Sequence, residues 1–202
     1  MDIFSLLDEL QSIARTGQNY AENEFDLERY QHLLQLASQT YEELLDIPEK
    51  EIRARFEQEL GCITPKVGAD AAIFNQQGEI LLMKRTDGSG WCLPCGWVEP
   101  NERPVDAAIR ETREETGLEV EFRQLVGVFT RMPNAVNGPH TTVAVVHLCT
   151  VTGGELRLSH EGLDLRYRSI EEVKDWHPNH DKYAREAYKV WASEKLMPSI
   201  SD

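Results

Sequence analysis

Residues 96–118 read GWVEPNERPVDAAIRETREETGL. Pro104 stands where a helix would begin and Gly117 where one would end, so the spacing predicts a helix across PVDAAIRETREETG. On that helix Glu111, Glu114 and Glu115 are i, i+3 and i+4, and they share one face. Three clustered anions repel one another, and RETREETG offers too few cations on the same face to cancel them. One reading is a solvated acidic face. The other is a hard divalent cation with oxygen ligands, Mg²⁺ or Mn²⁺.

Outward from this helix the chain alternates strands with few helices. VGADAAIF and EILLMKR read as strands joined by a turn at NQQG. QLVGVFTRM and TTVAVVHLCTV are strand-like, the second followed by a TGGE turn. LDLRYRSIEEV reads as a strand leading into a short helix, and HDKYAREAYKVWASEK as a final helix with Asp181 as its cap. This order predicts an α/β (α+β) sandwich with a mixed sheet. Residues 1–61 read as helices throughout. Ile3, Leu6, Leu7, Leu10 and Ile13 fall at helical spacing, with Gly17 as a stop. Asp26 is the expected cap of a second helix, Pro48 sits near the first turn of a third, and Gly61 terminates it. Such a unit buries little apolar area alone, so it should pack on the rest of the chain or on a second copy. The expected division is a helical N-terminal domain, 1–61, and a mixed domain, 66–202.

The 202 residues carry a net charge of −14, with 41% hydrophobic and 28% charged residues. A surface that acidic repels phosphate backbones, which argues against unaided nucleic-acid binding. An anionic substrate would need local neutralisation, which a carboxylate-bound cation supplies. MDIFSLLDELQSIAR lacks a basic n-region and reads as an amphipathic helix, not a signal peptide. No apolar run approaches the roughly 18 residues that span a membrane. A cytoplasmic chain with reduced thiols is expected.

GWCLPCGW, just before the acidic helix, spells Cys-x-x-Cys at Cys92 and Cys95. A thioredoxin-like site needs its first cysteine at a helix N-terminus, and here CGWVEPNERP follows, with glycine and prolines. A zinc site needs a second pair, which neither Cys62 nor Cys149 provides.

Gly96, Glu102, Arg110, Glu111, Glu114, Glu115, Gly117 and Leu118 fit one long pattern: glycine, five residues, glutamate, seven residues, then Arg-Glu, an aliphatic, any residue, Glu-Glu, any residue, glycine, aliphatic. That pattern is the Nudix box, and the segment resembles the Nudix hydrolase family. It departs at Thr112, where the family prefers an aliphatic. WCLPCG resembles the W-x-L-P-G-G lead-in common in the family. The resemblance implies a Nudix-type α/β/α sandwich that hydrolyses a nucleoside diphosphate linked to another group, with Mg²⁺ or Mn²⁺. It implies that Glu111, Glu114 and Glu115 hold the metals and order the attacking water, with Glu102 a weaker contributor. Arg110 would orient a glutamate, and the backbone carbonyl of Cys95 would be a metal ligand. Where such enzymes use a base outside the box, it sits on a later loop, and Glu161 is the candidate beside the reading of an exposed loop residue. Arg85 is either a phosphate contact or an exposed strand-end cation. Trp97, Phe129 and Tyr167 could stack on a base or pack in the core.

The helical region with FDLERY (residues 25–30) resembles a subgroup acting on X-linked nucleoside diphosphates, including CDP-choline and ADP-ribose pyrophosphatases. Helical extensions there often mediate dimers, so a homodimer is implied. Pro133, 15 residues beyond Leu118, is a cue associated with ADP-ribose hydrolysis, or an ordinary loop proline. The histidines at 140, 160, 177 and 180 fall in polar loops. His177 and His180 with Asp181 read as capping or surface groups, or as phosphate contacts. Two other functions stand against the lead: exonucleolytic processing of RNA at the same site, and a silent Nudix domain that senses a nucleotide. The first lacks a basic track, and the second would have been free to lose the box carboxylates.

Overall fold

A computed structural model describes residues 3–58, 60, 61, 64–99, 101–134, 138–193, 200 and 201. Cys62 lies outside them. The chain forms two compact units, Met1–Lys66 with Met132–Thr142, and Val67–Arg131 with Val143–Asp202.

The first unit holds helices α1 (Ile3–Tyr20), α2 (Glu24–Leu45) and α3 (Glu49–Glu57). Leu7, Ala14, Leu34, Ala37, Tyr41, Leu45, Ile47, Ile52 and Phe56 form its core. Two local expectations change. α1 does not stop at Gly17 but continues to Tyr20, because the glycine takes a helix crossing: a Cβ there would fall into the ring of Tyr30 on α2. α2 is capped by Asn23, not Asp26. The Asn23 Oδ1 accepts the Asp26 N–H at 2.9 Å, and its amide donates to Asp26 Oδ2 at 2.7 Å. Residues of the 132–142 loop belong to this unit. Thr141 Oγ1 donates to Asp8 Oδ2 at 2.6 Å, and the His140 ring meets Phe56 edge-on at 5.2 Å.

The second unit contains β1 (Lys66–Ile73), β2 (Ile80–Arg85), β3 (Trp91–Cys92), β4 (Cys95–Trp97), α4 (Pro104–Thr116), β5 (Leu118–Arg131), β6 (Thr142–Gly154), β7 (Gly162–Arg168), a 3₁₀ turn (Ile170–Glu172), α5 (His180–Ala192) and β8 (Ile200–Ser201). One sheet has the order β4-β1-β6-β5-β8 and the other β3-β2-β7. β1–β4, β2–β3 and β2–β7 are antiparallel and β5–β8 is parallel, so the sheet is mixed and the fold α+β. Strand alternation sorts β1 between two cores. Ala69, Ala71 and Ile73 pack with Leu81, Ala107 and Ala108 beneath α4. Ala72 joins Ile80, Leu82, Val126, Phe129, Tyr183, Ala184 and Ala187 beneath α5. The alanines on both sides of the α4 interface let helix and sheet approach closely.

Other boundaries shift for local reasons. β5 begins at Leu118, well before QLVG, because Leu118 and Val120 are buried while Glu119 and Glu121 are exposed. β6 runs on into the expected TGGE turn. α5 is preceded by Asn179 in the left-handed region (φ 70°), so Asp181 lies inside the first turn and is not the cap. Among the described residues, no helix is long and apolar enough to cross a membrane.

Candidate active site

α4 presents its carboxylates toward β4, and Arg110 gathers them. Its Nε and Nη2 donate to the two oxygens of Glu102 at 2.8 and 3.0 Å. Nη1 donates to Glu111 Oε1 at 2.7 Å and to Glu114 Oε2 at 3.2 Å, and Nη2 also reaches the Trp97 carbonyl at 3.1 Å. One guanidinium thus serves three carboxylates, and the group stays net negative. Gly96 makes room for it, since a Cβ there would fall into the Glu111 carboxylate. Thr112, the departure from the box, is fully buried, and its Oγ1 donates to the Ala108 carbonyl at 2.7 Å. With the hydroxyl satisfied inside the helix, the methyl packs where an aliphatic would.

Electrostatics separates the four glutamates. Arg110, followed by the Glu99 N–H, holds Glu102 below the usual carboxylate range. Glu111 is pushed up, first by burial and then by Glu114 and Glu161, against the pull of Arg110. Glu115 is almost wholly buried, and burial carries it to about 9, with Glu111 and Glu161 adding repulsion. Its Oε2 accepts the Cys95 N–H at 2.9 Å. Glu114 is exposed.

The strand register explains how Cys95 faces this group. Ala71 N–H donates to the Pro94 carbonyl at 2.9 Å, and Val98 N–H to the Val67 carbonyl at 3.0 Å. Residues 94 and 98 therefore turn their polar groups toward β1, while Cys95, paired with Asp70, is in a non-hydrogen-bonded position. Its N–H and C=O point together off the sheet edge, toward Glu115. The donor set is then four carboxylates and one carbonyl, all hard oxygens. A buried Glu115 with no cation of its own, and a desolvated Glu111 on an arginine it shares with Glu102 and Glu114, fit a bound divalent cation.

The other candidates are placed unequally. Glu161 is exposed, yet its charge reaches both Glu111 and Glu115. Its carbonyl accepts the Thr86 N–H at 3.1 Å, which ties that loop to the end of β2. Arg85 Nε donates to Asp87 Oδ2 at 2.8 Å. Trp97 is 54% exposed. Phe129 is corrected: only 1% exposed, it packs against Tyr183 at 4.8 Å in the core beneath α5, so its ring is not free to stack on a base. Tyr167 is partly buried against the core beneath α4.

The histidines also differ from a polar-loop reading. His177 is 8% exposed and His180 fully buried. Burial, with the charge of Arg131, lowers His177 to about 4 and His180 well below its ordinary value. Around His180 lies a polar cluster that local sequence patterns gave no hint of. Arg131 Nη2 is 2.5 Å from His180 Nε2 and 3.8 Å from Asp70 Oδ1, and Arg131 Nε donates to Tyr183 OH at 3.2 Å. Asp70 is 1% exposed, its Oδ1 makes no hydrogen bond, and burial lifts it to about 6 against the pull of Arg131. The only sequence signal was one aspartate in an otherwise apolar strand. Asp70, Cys95 and His180 bring possible ligand atoms within 4.8 Å of one another. They do not fit a metal: both ring nitrogens of His180 already face donors, Nδ1 the Leu93 N–H at 3.1 Å and Nε2 the Arg131 guanidinium at 2.5 Å. The Cys95 thiol, hydrogen-bonded to Cys92 and buried, is held well above its usual range.

Comparison with known proteins matches this arrangement. The NUDIX domain model matches residues 64–189, and the model of a UDP-X-like, N-terminal oligomerisation domain matches residues 1–56. The chain belongs to the Nudix hydrolase family. It is 28% identical over 130 residues to an ADP-ribose pyrophosphatase of Methanocaldococcus jannaschii, covering 63% of this chain and 75% of that one. It is 36% identical over 102 residues to the asymmetrical bis(5′-nucleosyl)-tetraphosphatase of Mus musculus, covering 49% and 69%. The crystal structure of a UDP-X diphosphatase superposes with a TM-score of 0.58 at 22% identity, covering 95% of each chain, and shares the fold.

Proposed function

We propose that this hydrolase cleaves the pyrophosphate bond of a nucleoside diphosphate linked to X, with ADP-ribose and CDP-choline-like compounds as the substrate class, releasing a nucleoside monophosphate and phosphorylated X. The observation that carries the reading is the gathering of Glu102, Glu111 and Glu114 on Arg110, with Glu115 and the Cys95 backbone beside them. Mg²⁺ or Mn²⁺ would be held by Glu111, Glu114, Glu115, the Cys95 carbonyl and, more weakly, Glu102. When bound, it would neutralise the pyrophosphate and acidify a water molecule.

The remaining roles belong to the chain's own groups. Arg110 fixes the glutamates by charge-assisted hydrogen bonds. Glu161, whose charge reaches Glu111 and Glu115, would take a proton from water. Arg85 offers a cation to a phosphate oxygen, and the exposed Trp97 offers a face to the base. The helical region, 1–61, would pair two copies, in line with the oligomerisation model that matches it, beside a catalytic domain at 66–202. The cytoplasm is the proposed location.

The test is incubation with ADP-ribose, CDP-choline, a UDP-sugar, NADH, diadenosine tetraphosphate and nucleoside triphosphates, with Mg²⁺ or Mn²⁺, and identification of products. Release of AMP from ADP-ribose, or of CMP from CDP-choline, is expected. Strong preference for triphosphates would refute the substrate class. Tight binding of ADP-ribose without AMP release would favour a sensor.

A further inference from the structure

The turn Leu93-Pro94-Cys95 is held at every backbone polar group that the described hydrogen bonds define. Leu93 N–H donates to His180 Nδ1 at 3.1 Å, Pro94 has no N–H, and its carbonyl accepts Ala71 N–H at 2.9 Å. Cys95 N–H donates to Glu115 Oε2 at 2.9 Å. The Cys95 carbonyl, which turns the same way as that N–H, is the group the proposed metal site uses.

Three of these four points are fixed by strand pairing, by proline or by the acidic helix. The fourth is a histidine 87 residues downstream, at the start of α5. The segment leading to it grips the same stretch. Trp91 N–H donates to the Asp175 carbonyl at 2.8 Å, His177 N–H donates to the Trp91 carbonyl at 2.8 Å, and His177 Nδ1 lies 2.8 Å from Ser89 Oγ.

We propose that His180 is a positioning residue for hydrolysis: its Nδ1 accepts the Leu93 N–H and so fixes the direction of the Cys95 carbonyl that would hold the metal. This rests on the metal-site reading above. Arg131 Nη2, which can only donate, stands 2.5 Å from the other ring nitrogen, Nε2. Asp70 Oδ1 lies 3.7 Å from Nε2, beyond hydrogen-bond reach, and Arg131, 3.8 Å from that oxygen, links the ring to Tyr183 OH. Asp70 and Arg131 hold the ring, the ring holds Leu93, and Leu93 sets Cys95. None of the three touches substrate in this scheme. Groups that orient a ligand at one remove typically alter metal affinity or activity by about 10–100-fold.

The test separates acceptor chemistry from bulk. In His180→Asn the amide oxygen can stand near Nδ1, whereas in His180→Gln the amide reaches the Nε2 position instead. Mn²⁺ is titrated calorimetrically into purified wild type, His180→Asn, His180→Gln and His180→Ala, and kcat and KM are measured on the best nucleotide of the panel. Mn²⁺ affinity should fall by about tenfold or more in His180→Gln and His180→Ala, and recover to within about threefold in His180→Asn. kcat should follow the metal affinity while nucleotide KM moves little. Equal behaviour of the Asn and Gln variants overturns the proposal, as does wild-type Mn²⁺ affinity in His180→Ala. If His180→Ala does not fold, the Asn/Gln pair decides alone. A wild-type protein that takes up no Mn²⁺ refutes the metal site itself and this proposal with it, and the flat titration of every protein marks that case.

Discussion

Two arginines organise polar groups on opposite sides of Cys95, and they do so by opposite rules. Arg110 lies on the α4 side among Glu102, Glu111 and Glu114, with Glu115 behind, so carboxylates outnumber the cation. Arg131 lies on the α5 side with one carboxylate, Asp70, and a neutral His180. The first group is open and overcharged, and it relaxes by holding a proton on Glu115 or by taking in a cation. The second is closed and balanced, and removing a member leaves a buried charge alone. Cys95 joins them: its backbone faces the first group and its sulfur, opposite Asp70 in the strand pairing, faces the second. Activity should therefore depend directly on the Arg110 group, and stability chiefly on the Arg131 group, which reaches activity only through the Leu93–Cys95 turn.

The sharpest way to break that division is Glu114→Gln. Its side chain is exposed, so the melting temperature should hardly move, while kcat/KM falls by about 10³-fold, the scale of losing one charge-stabilising group in an active site. A large loss of stability with modest loss of rate would erase the contrast.

Asp70→Ala probes the other side. It strands Arg131, 12% exposed at the side chain, without its carboxylate, and breaking a buried pair in this way costs about 3–5 kcal/mol. Chemical denaturation should show it; a cost below about 1 kcal/mol would place Arg131 with surface ion pairs.

The metal linkage gives a smaller effect with a definite sign. Glu115 is raised to about 9 by burial, so the folded chain holds a proton that the unfolded chain releases near 4.5. That proton favours the metal-free fold at low pH, and the benefit fades as pH rises toward 9. A cation must displace it, so added Mg²⁺ should raise the melting temperature more at pH 9 than at pH 6. Equal shifts at both pH values would mean that Glu115 is not a ligand.

The smallest effect should come from Cys92→Ser/Cys95→Ala. The Cys95 thiol, held protonated by its hydrogen bond to Cys92 and by burial, is a poor nucleophile, so kcat/KM should fall by less than about fivefold. A folded but inactive double variant would mean that sulfur takes part in the chemistry.

The acidic side was readable because all its parts lie within 23 residues at helical spacing, and because a glycine at 96 and a threonine at 112 are local facts. The α5 side was not. Asp70, Arg131 and His180 come from β1, the end of β5 and the start of α5, and no short-range pattern joins them. His180 therefore passed for a loop residue, although it is among the most buried groups of the chain. Phe129 failed for a related reason: an aromatic residue on a strand looks the same whether it faces a ligand or a core. Asn23 displaced Asp26 as a cap because both are good caps three residues apart, and propensity alone does not choose between them. The helix α4 was legible from Pro104, Gly117 and the helical spacing of its carboxylates, and β1 as a short run buried on both faces.

The 132–142 loop changes how the helical unit can be handled. It leaves the sheet after β5, belongs with α1 and α3 through Thr141 and His140, and returns as β6. The helical unit is therefore built from two stretches of chain, stitched through the middle of the catalytic sequence. A protease that nicks the backbone near residue 64 would sever one thread only and release no intact helical fragment. For the same reason, grafting these helices onto another hydrolase means transplanting the β5–β6 loop with them.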